Sequence, residues 1–252
     1  MNYYSLYFSP TGGTKKVADT VAEGWGEEFT GEDLIKSSYK TDFCSDDLCL
    51  ISVPSFGGRV PAPAAEKLSR LHGNGAGAVL IAVFGNRAID DTLLELSDLL
   101  VEAGFRPVAA MEAVARHSLV EKYGAGRPDA EDCAELKEYA NKIRSALENN
   151  TLPAELKLPG NRPYREFGGV PLKPTVVSGK GTACGRCAEE CPTGAIPKND
   201  CKTTDTKKCI SCMHCVAVCP NQARKLSKLM VAAASQSMKA SCSGRKPNKL
   251  SL

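Results

Sequence analysis

A chain of 252 residues with 42% hydrophobic and 24% charged content is long enough for one large or two smaller cores, and its composition is that of a globular protein. The run Val79-Leu-Ile-Ala-Val-Phe84 is far too short to span a membrane, and the start Met1-Asn-Tyr-Tyr lacks the basic region of a secretory signal, so no membrane span and a cytoplasmic location are expected. The net charge of +3 hides an asymmetry: residues 1–150 carry 15 Lys+Arg against 23 Asp+Glu, a net −8, whereas residues 151–252 carry 17 against 6, a net +11. Opposite signs suit docking of the two halves, an acidic partner, or compensation of bound negative charge. The lysines are interspersed without aromatic platforms, which argues against a nucleic-acid partner.

In chain order, residues 3–8 (Tyr-Tyr-Ser-Leu-Tyr-Phe) predict a strand, and Ser9-Pro-Thr-Gly-Gly-Thr14 follows. A helix is predicted over residues 15–28, with Val17, Val21 and Trp25 at helical spacing. A strand that ends in a hydroxyl- and glycine-rich turn opening a helix is a phosphate cradle, or else a plain turn with a helix cap. Neither GxxxxGK[ST] nor GxGxxG is present. Leu48-Cys-Leu-Ile-Ser-Val53 predicts a buried parallel strand, followed at its carboxyl end by Pro54-Ser-Phe-Gly-Gly-Arg-Val-Pro61. The strand over 78–84 leads into Gly85-Asn86-Arg87 and a helix with Leu93, Leu96 and Leu100 on one stripe. A further strand is predicted over 105–115, and a long helix over 129–150.

Residues 151–180 hold five prolines and predict a linker. Seven of the twelve cysteines then fall in two runs, Cys184-x2-Cys187-x3-Cys191-Pro192 and Cys209-x2-Cys212-x2-Cys215-x3-Cys219-Pro220. Four thiolates at 2-2-3 spacing followed by proline suit an iron–sulfur cube, whereas zinc favours paired CxxC knuckles. The runs repeat at an offset of 28 positions, and at that offset Gly181 stands where a counterpart of Cys209 would be. The other five cysteines show no disulfide rhythm, as in a reducing compartment. A short helix is expected over 225–240, and 241–252 predicts a disordered basic tail.

The cysteine runs resemble two-cluster bacterial ferredoxins, and Ser9-x-Thr11-Gly12-x-Thr14 is similar to the phosphate loop of flavodoxins. Together they resemble flavodoxin–ferredoxin fusion proteins, sometimes called EFR-type ferredoxins. That resemblance implies an α/β fold: a flavodoxin-like, doubly wound, parallel five-stranded sheet of order 2-1-3-4-5, with a smaller ferredoxin-like α+β domain. Implied boundaries are 1–150 for an FMN-binding domain, 151–180 for the linker, 181–226 for the 4Fe-4S domain and 227–252 for the tail.

Implied FMN-binding residues are Ser9, Thr11, Gly12, Gly13 and Thr14, then Pro54, Phe56, Gly57 and Gly58, then Gly85, Asn86 and Arg87. Phe56 would cover one flavin face, Gly57 and Gly58 would let backbone N–H groups approach the ring, and Asn86 would bond its edge. Relatives often carry tyrosine at the position of Ile89, so the second face is expected to be open or covered by the ferredoxin half. Cys209, Cys212, Cys215 and Cys191 would hold one [4Fe-4S] cluster, since each fourth cysteine of such folds serves the other cluster. Cys184, Cys187 and Cys219 would hold a second that lacks one ligand. It would be completed by water, hydroxide or Cys201, reduced to [3Fe-4S], or left empty. The function implied is electron transfer in an anaerobic cytoplasm with an unidentified redox partner protein. The alternative is an FMN-dependent oxidoreductase using NAD(P)H or a small substrate, with the clusters as internal relay.

Overall fold

The computed structural model describes residues 1–252. Strand β1 (Tyr3–Tyr7) leads into α1 (Gly13–Trp25), β2 (Thr30–Asp33), β3 (Leu48–Pro54), α2 (Ala62–Leu68), β4 (Gly77–Phe84), α3 (Thr92–Glu102), β5 (Arg106–Val114) and α4 (Ala130–Glu148). The first five strands are parallel in the order β2-β1-β3-β4-β5, the flavodoxin-like doubly wound arrangement. Helices cover both faces, which is why β3 and β4 are buried along their whole length and carry continuous apolar runs. Leu6, Phe8, Ile51, Leu80, Leu93 and Leu96 pack on one side, and Val17, Val21, Trp25, Ile81, Met111 and Leu136 on the other. Each such side chain contributes roughly 1.5–3 kcal/mol when removed from water. Helix α4 starts at Asp129, whose carboxylate accepts from Asp132 N while Asp132 answers, a reciprocal cap.

The rest of the chain adds β6 (Thr175–Val176), α5 (Arg186–Glu189), α6 (His214–Ala217), β7 (Arg224–Lys225), α7 (Lys228–Cys242) and β8 (Lys249–Ser251). β6 and β7 pair antiparallel and tie together the two ends of the cysteine-rich segment. No helix is long and apolar enough to cross a membrane.

One expectation is corrected. The tail is ordered: β8 pairs antiparallel with β5 and becomes a sixth strand at the sheet edge. Its anchor is Asn248, 3% exposed, which accepts from Val114 N (2.8 Å) and donates to Asp132 (3.1 Å) and Glu135 (2.7 Å). Covering the edge of β5 satisfies backbone groups that would otherwise face solvent. Residues 151–180, expected as a linker, are tied to the loop after β4 and to α3. Arg162 and Tyr164 bond Asp98, the Asn161 and Arg165 amides donate to Asp91 at 2.8 and 2.7 Å, and Arg165 pairs with Asp90. The basic half therefore meets the acidic half, through the linker here and through the bonds of Arg245 to Asp129 and Asp132 in the tail.

Candidate functional site

The carboxyl ends of β1, β3 and β4 open onto a cavity of about 670 Å³, within the range of ligand pockets and at the point where the strand order reverses. Its floor is the loop after β1. Gly12 there has a φ of +87°, a left-handed conformation suited to glycine, and α1 begins at the next residue. Ser9 Oγ accepts from Lys15 N at 2.8 Å, so this hydroxyl caps the helix. The amides of Gly13 and Thr14 find no backbone acceptor, and the Thr11 and Thr14 hydroxyls bond no protein group. Free N–H groups at the start of a 13-residue helix, with two hydroxyls, form a donor set for a phosphate.

Thr11, Gly13, Thr14, Pro54, Phe56, Gly57, Gly85 and Arg87 line the cavity; Ser9, Gly12, Gly58 and Asn86 do not. Asn86 is 5% exposed, and its amide is committed to the tail: it donates to Cys242 O (2.7 Å) and Gly244 O (2.8 Å) and accepts from Lys246 N (3.2 Å). The expected contact with a flavin edge is corrected accordingly. Gly58 faces Asp90 and Arg165, where a Cβ would lie 2.2 Å from Asp90 Oδ2. Gly57, at φ +62°, lies under the ring of Phe167, with a Cβ position only 2.1 Å from it. The close approach at Gly57 is by the linker, and at Gly58 by Asp90 first and by Arg165 of the linker second. Ile89 is buried in the core, and Arg87 pairs with Asp90.

Several walls were not foreseen. His117 lines the cavity, and its Nδ1 accepts from the amides of Leu119 (3.1 Å) and Val120 (3.2 Å), so Nε2 carries the proton of the neutral ring. Burial, with the Arg87 charge, lowers its pKa to about 4. Phe167 and Leu172 come from the linker, Met230 and Met238 from α7, and Ile210, Ser211 and Cys212 from the second cysteine run. A lone loop histidine, a proline-rich linker and a polar tail carry no pattern that announces a shared pocket.

The cysteine loops form a second region. The thiols of Cys191, Cys209 and Cys215 lie within electrostatic reach of Cys212, so the fourth cysteine of the first run has joined the second. Burial first, with the neighbouring thiols adding to it, pushes Cys212 up to about 12 and Cys215 up to about 11. Thiols gathered this densely stay protonated unless a cation is bound among them, as an iron cluster would be. No three donors converge tightly enough for a single metal ion.

The internal repeat reaches the backbone. Ser211 (φ 57°) and Met213 (φ 65°) adopt left-handed conformations, and 28 positions earlier so do Ala183 (φ 54°) and Gly185 (φ 82°). Helices α5 and α6 stand at the same offset. Non-glycine residues in this region are strained and persist where surrounding structure or function demands them. Both runs therefore share one loop backbone.

Contacts also join the two regions. His214 Nδ1 lies 2.8 Å from Pro10 O, in the loop after β1, and its Nε2 lies 3.2 Å from the Glu190 carboxylate without hydrogen-bond alignment. Lys173 Nζ donates to Cys209 O (2.5 Å) and Ser211 Oγ (3.1 Å).

Residues 202–225 match the family model described as a 4Fe-4S binding domain. The C-terminal part of the chain thus carries a 4Fe-4S ferredoxin-like segment. The match contains the second run and begins after the first. A comparison with curated proteins finds no match. Among solved structures, a flavodoxin of Streptococcus pneumoniae TIGR4 is similar at 16% identity and a TM-score of 0.43, covering 57% of this chain and 99% of that one. An archaeal flavodoxin is similar at 13% identity and 0.43 (59% and 99%), and rubredoxin oxygen:oxidoreductase of the anaerobe Desulfovibrio gigas at 17% and 0.42 (60% and 37%).

Proposed function

We propose that the chain is an electron-transfer protein that holds FMN in the cavity and [4Fe-4S] clusters on its cysteine loops, passing electrons between them within one polypeptide. The observation that carries this reading is that Cys212, a motif cysteine, lines the same cavity as Thr11, Gly13 and Thr14. When bound, FMN supplies one- or two-electron chemistry and the clusters one-electron chemistry.

In this reading the Gly13 and Thr14 amides and the Thr11 and Thr14 hydroxyls hold the phosphate. Phe56, Phe167 and Leu172 flank the ring, and Met230 and Met238 keep water from it. His117 presents its Nε2–H to the cavity as a fixed neutral donor. Cys191, Cys209, Cys212 and Cys215 hold the cluster beside the flavin, and the loop of Cys184 and Cys187, with Cys219, holds the other. Confinement of both centres in one chain replaces diffusional encounter with a fixed separation.

Anaerobic purification followed by an absorption spectrum, iron analysis and flavin extraction tests the assignment. FMN at about one per chain together with iron and acid-labile sulfide is expected; colourless protein lacking both refutes it.

A further inference from the structure

The first run lacks a counterpart of Cys209, because Gly181 stands where the repeat requires that cysteine. Its loop nevertheless keeps the ligand-loop backbone of the second run, as Ala183 and Gly185 show. The segment between the runs folds back over it, closed by a hydrogen bond from Asp205 N to Ala195 O (2.7 Å). This return brings Cys201 beside the Cys187 thiol, with Cys184 in electrostatic reach. The Cys201 thiol donates only a weak bond to Lys198 O at 3.7 Å.

What fixes Cys201 is Arg224, 1% exposed, the largest fully buried side chain of the molecule. Its Nη2 donates to Cys201 O (2.6 Å) and Thr203 O (3.1 Å), and its Nη1 to Thr204 Oγ1 (2.9 Å). The Arg224 charge acts on the thiols of Cys201, Cys215 and Cys219, so the cation stands between the two sets of cysteines. Its Nε is buried with no partner. A buried guanidinium leaves a donor orphaned only at a cost, and cluster sulfur is an acceptor that removes that cost.

We propose that Cys201 supplies the fourth thiolate of the second [4Fe-4S] cluster, with Cys184, Cys187 and Cys219, and that Arg224 is the residue that positions it. The inference rests on the reading that the cysteine loops hold clusters. It differs from the repeat in taking its fourth ligand from the loop between the runs.

The test is iron and sulfide analysis with electron paramagnetic resonance on anaerobically prepared full-length protein. Two four-iron clusters give about eight iron per chain in the parent. Cys201→Ser is expected to lower this by one iron, with a three-iron signal, or by four, leaving the flavin and the first cluster's spectrum intact. Cys44→Ser, far from the loops in sequence, is expected to match the parent. Arg224→Lys keeps the charge but loses the fork, and is expected to change the second cluster's signal and not the first's. Parent-like iron and spectra in Cys201→Ser overturn the proposal, as does a parent with four iron that Cys219→Ser does not alter. A parent with no iron refutes instead the cluster reading on which the proposal stands.

Discussion

The Nδ1 of His214 lies 2.8 Å from the carbonyl oxygen of Pro10, across 204 positions of sequence. A carbonyl only accepts, so Nδ1 carries the proton of this bond. Because His214 lies between Cys212 and Cys215 while Pro10 belongs to the phosphate-type loop, the contact sets the spacing of the two regions. His214→Ala is expected to keep the parent iron content and to slow electron transfer between flavin and cluster several-fold, as read by stopped-flow absorbance. An unchanged rate would remove the contact from the account.

Gly57 is covered by Phe167, and any side chain at residue 57 collides with that ring in a left-handed backbone. Gly57→Ala is expected to displace the ring and raise the FMN dissociation constant about tenfold, on the order of 1.4 kcal/mol. Phe167→Ala should weaken binding similarly. The double variant should add little beyond either, because both act through one contact. Fluorescence titration of apo-protein with FMN checks this.

The tail is held by a buried pair, Arg127 with Asp132, whose side chains are 5% and 1% exposed. Asp132→Ala leaves Arg127 uncompensated and is expected to cost roughly 3–5 kcal/mol. In a chain of this size that lowers Tm by on the order of 10 °C in calorimetry. Arg245→Ala removes a half-exposed partner of the same carboxylate, and a loss of about 1 kcal/mol or less is expected.

Burial holds His117 neutral down to a pKa of about 4, below its ordinary 6.5. Between those values the unfolded chain binds the additional proton, so stability from this residue is present above pH 6.5 and lost as pH falls toward 4. Moving from pH 7.5 to 5 should cost about 2 kcal/mol. His117→Asn, which retains an acceptor for the Leu119 and Val120 amides, should show a correspondingly flatter dependence in urea unfolding at the two pH values. An equal slope in parent and variant contradicts the assignment.

Sequence patterns disclosed the elements whose burial is written into local periodicity. β3, β4 and the stripe of α3 lie where continuous or helical apolar spacing predicted them, and the 2-2-3 cysteine spacing falls inside the segment that matches the 4Fe-4S binding domain model. β2 escaped notice because Thr30-Gly-Glu-Asp33 is a polar edge strand with no buried residue to set a period. β8 has three residues, and its place at the sheet edge follows from the long-range bonds of Asn248 and Asn86. Asn86 stood in a flavin-type loop, and only its partners in the tail show where its amide goes. Phe167 and Leu172 looked like linker composition because the groups that pin that stretch, Asp90, Asp91 and Asp98, lie about 70 residues away in the chain.

In the proposed function, flavin and cluster exchange electrons across the wall formed by Ile210, Ser211 and Cys212. Flash reduction of the flavin in anaerobic full-length protein, followed by absorbance at the cluster bands, measures this directly. The account predicts a single exponential transfer whose rate is independent of protein concentration. A rate proportional to protein concentration, or a reduced flavin beside a cluster that stays oxidised, would contradict it.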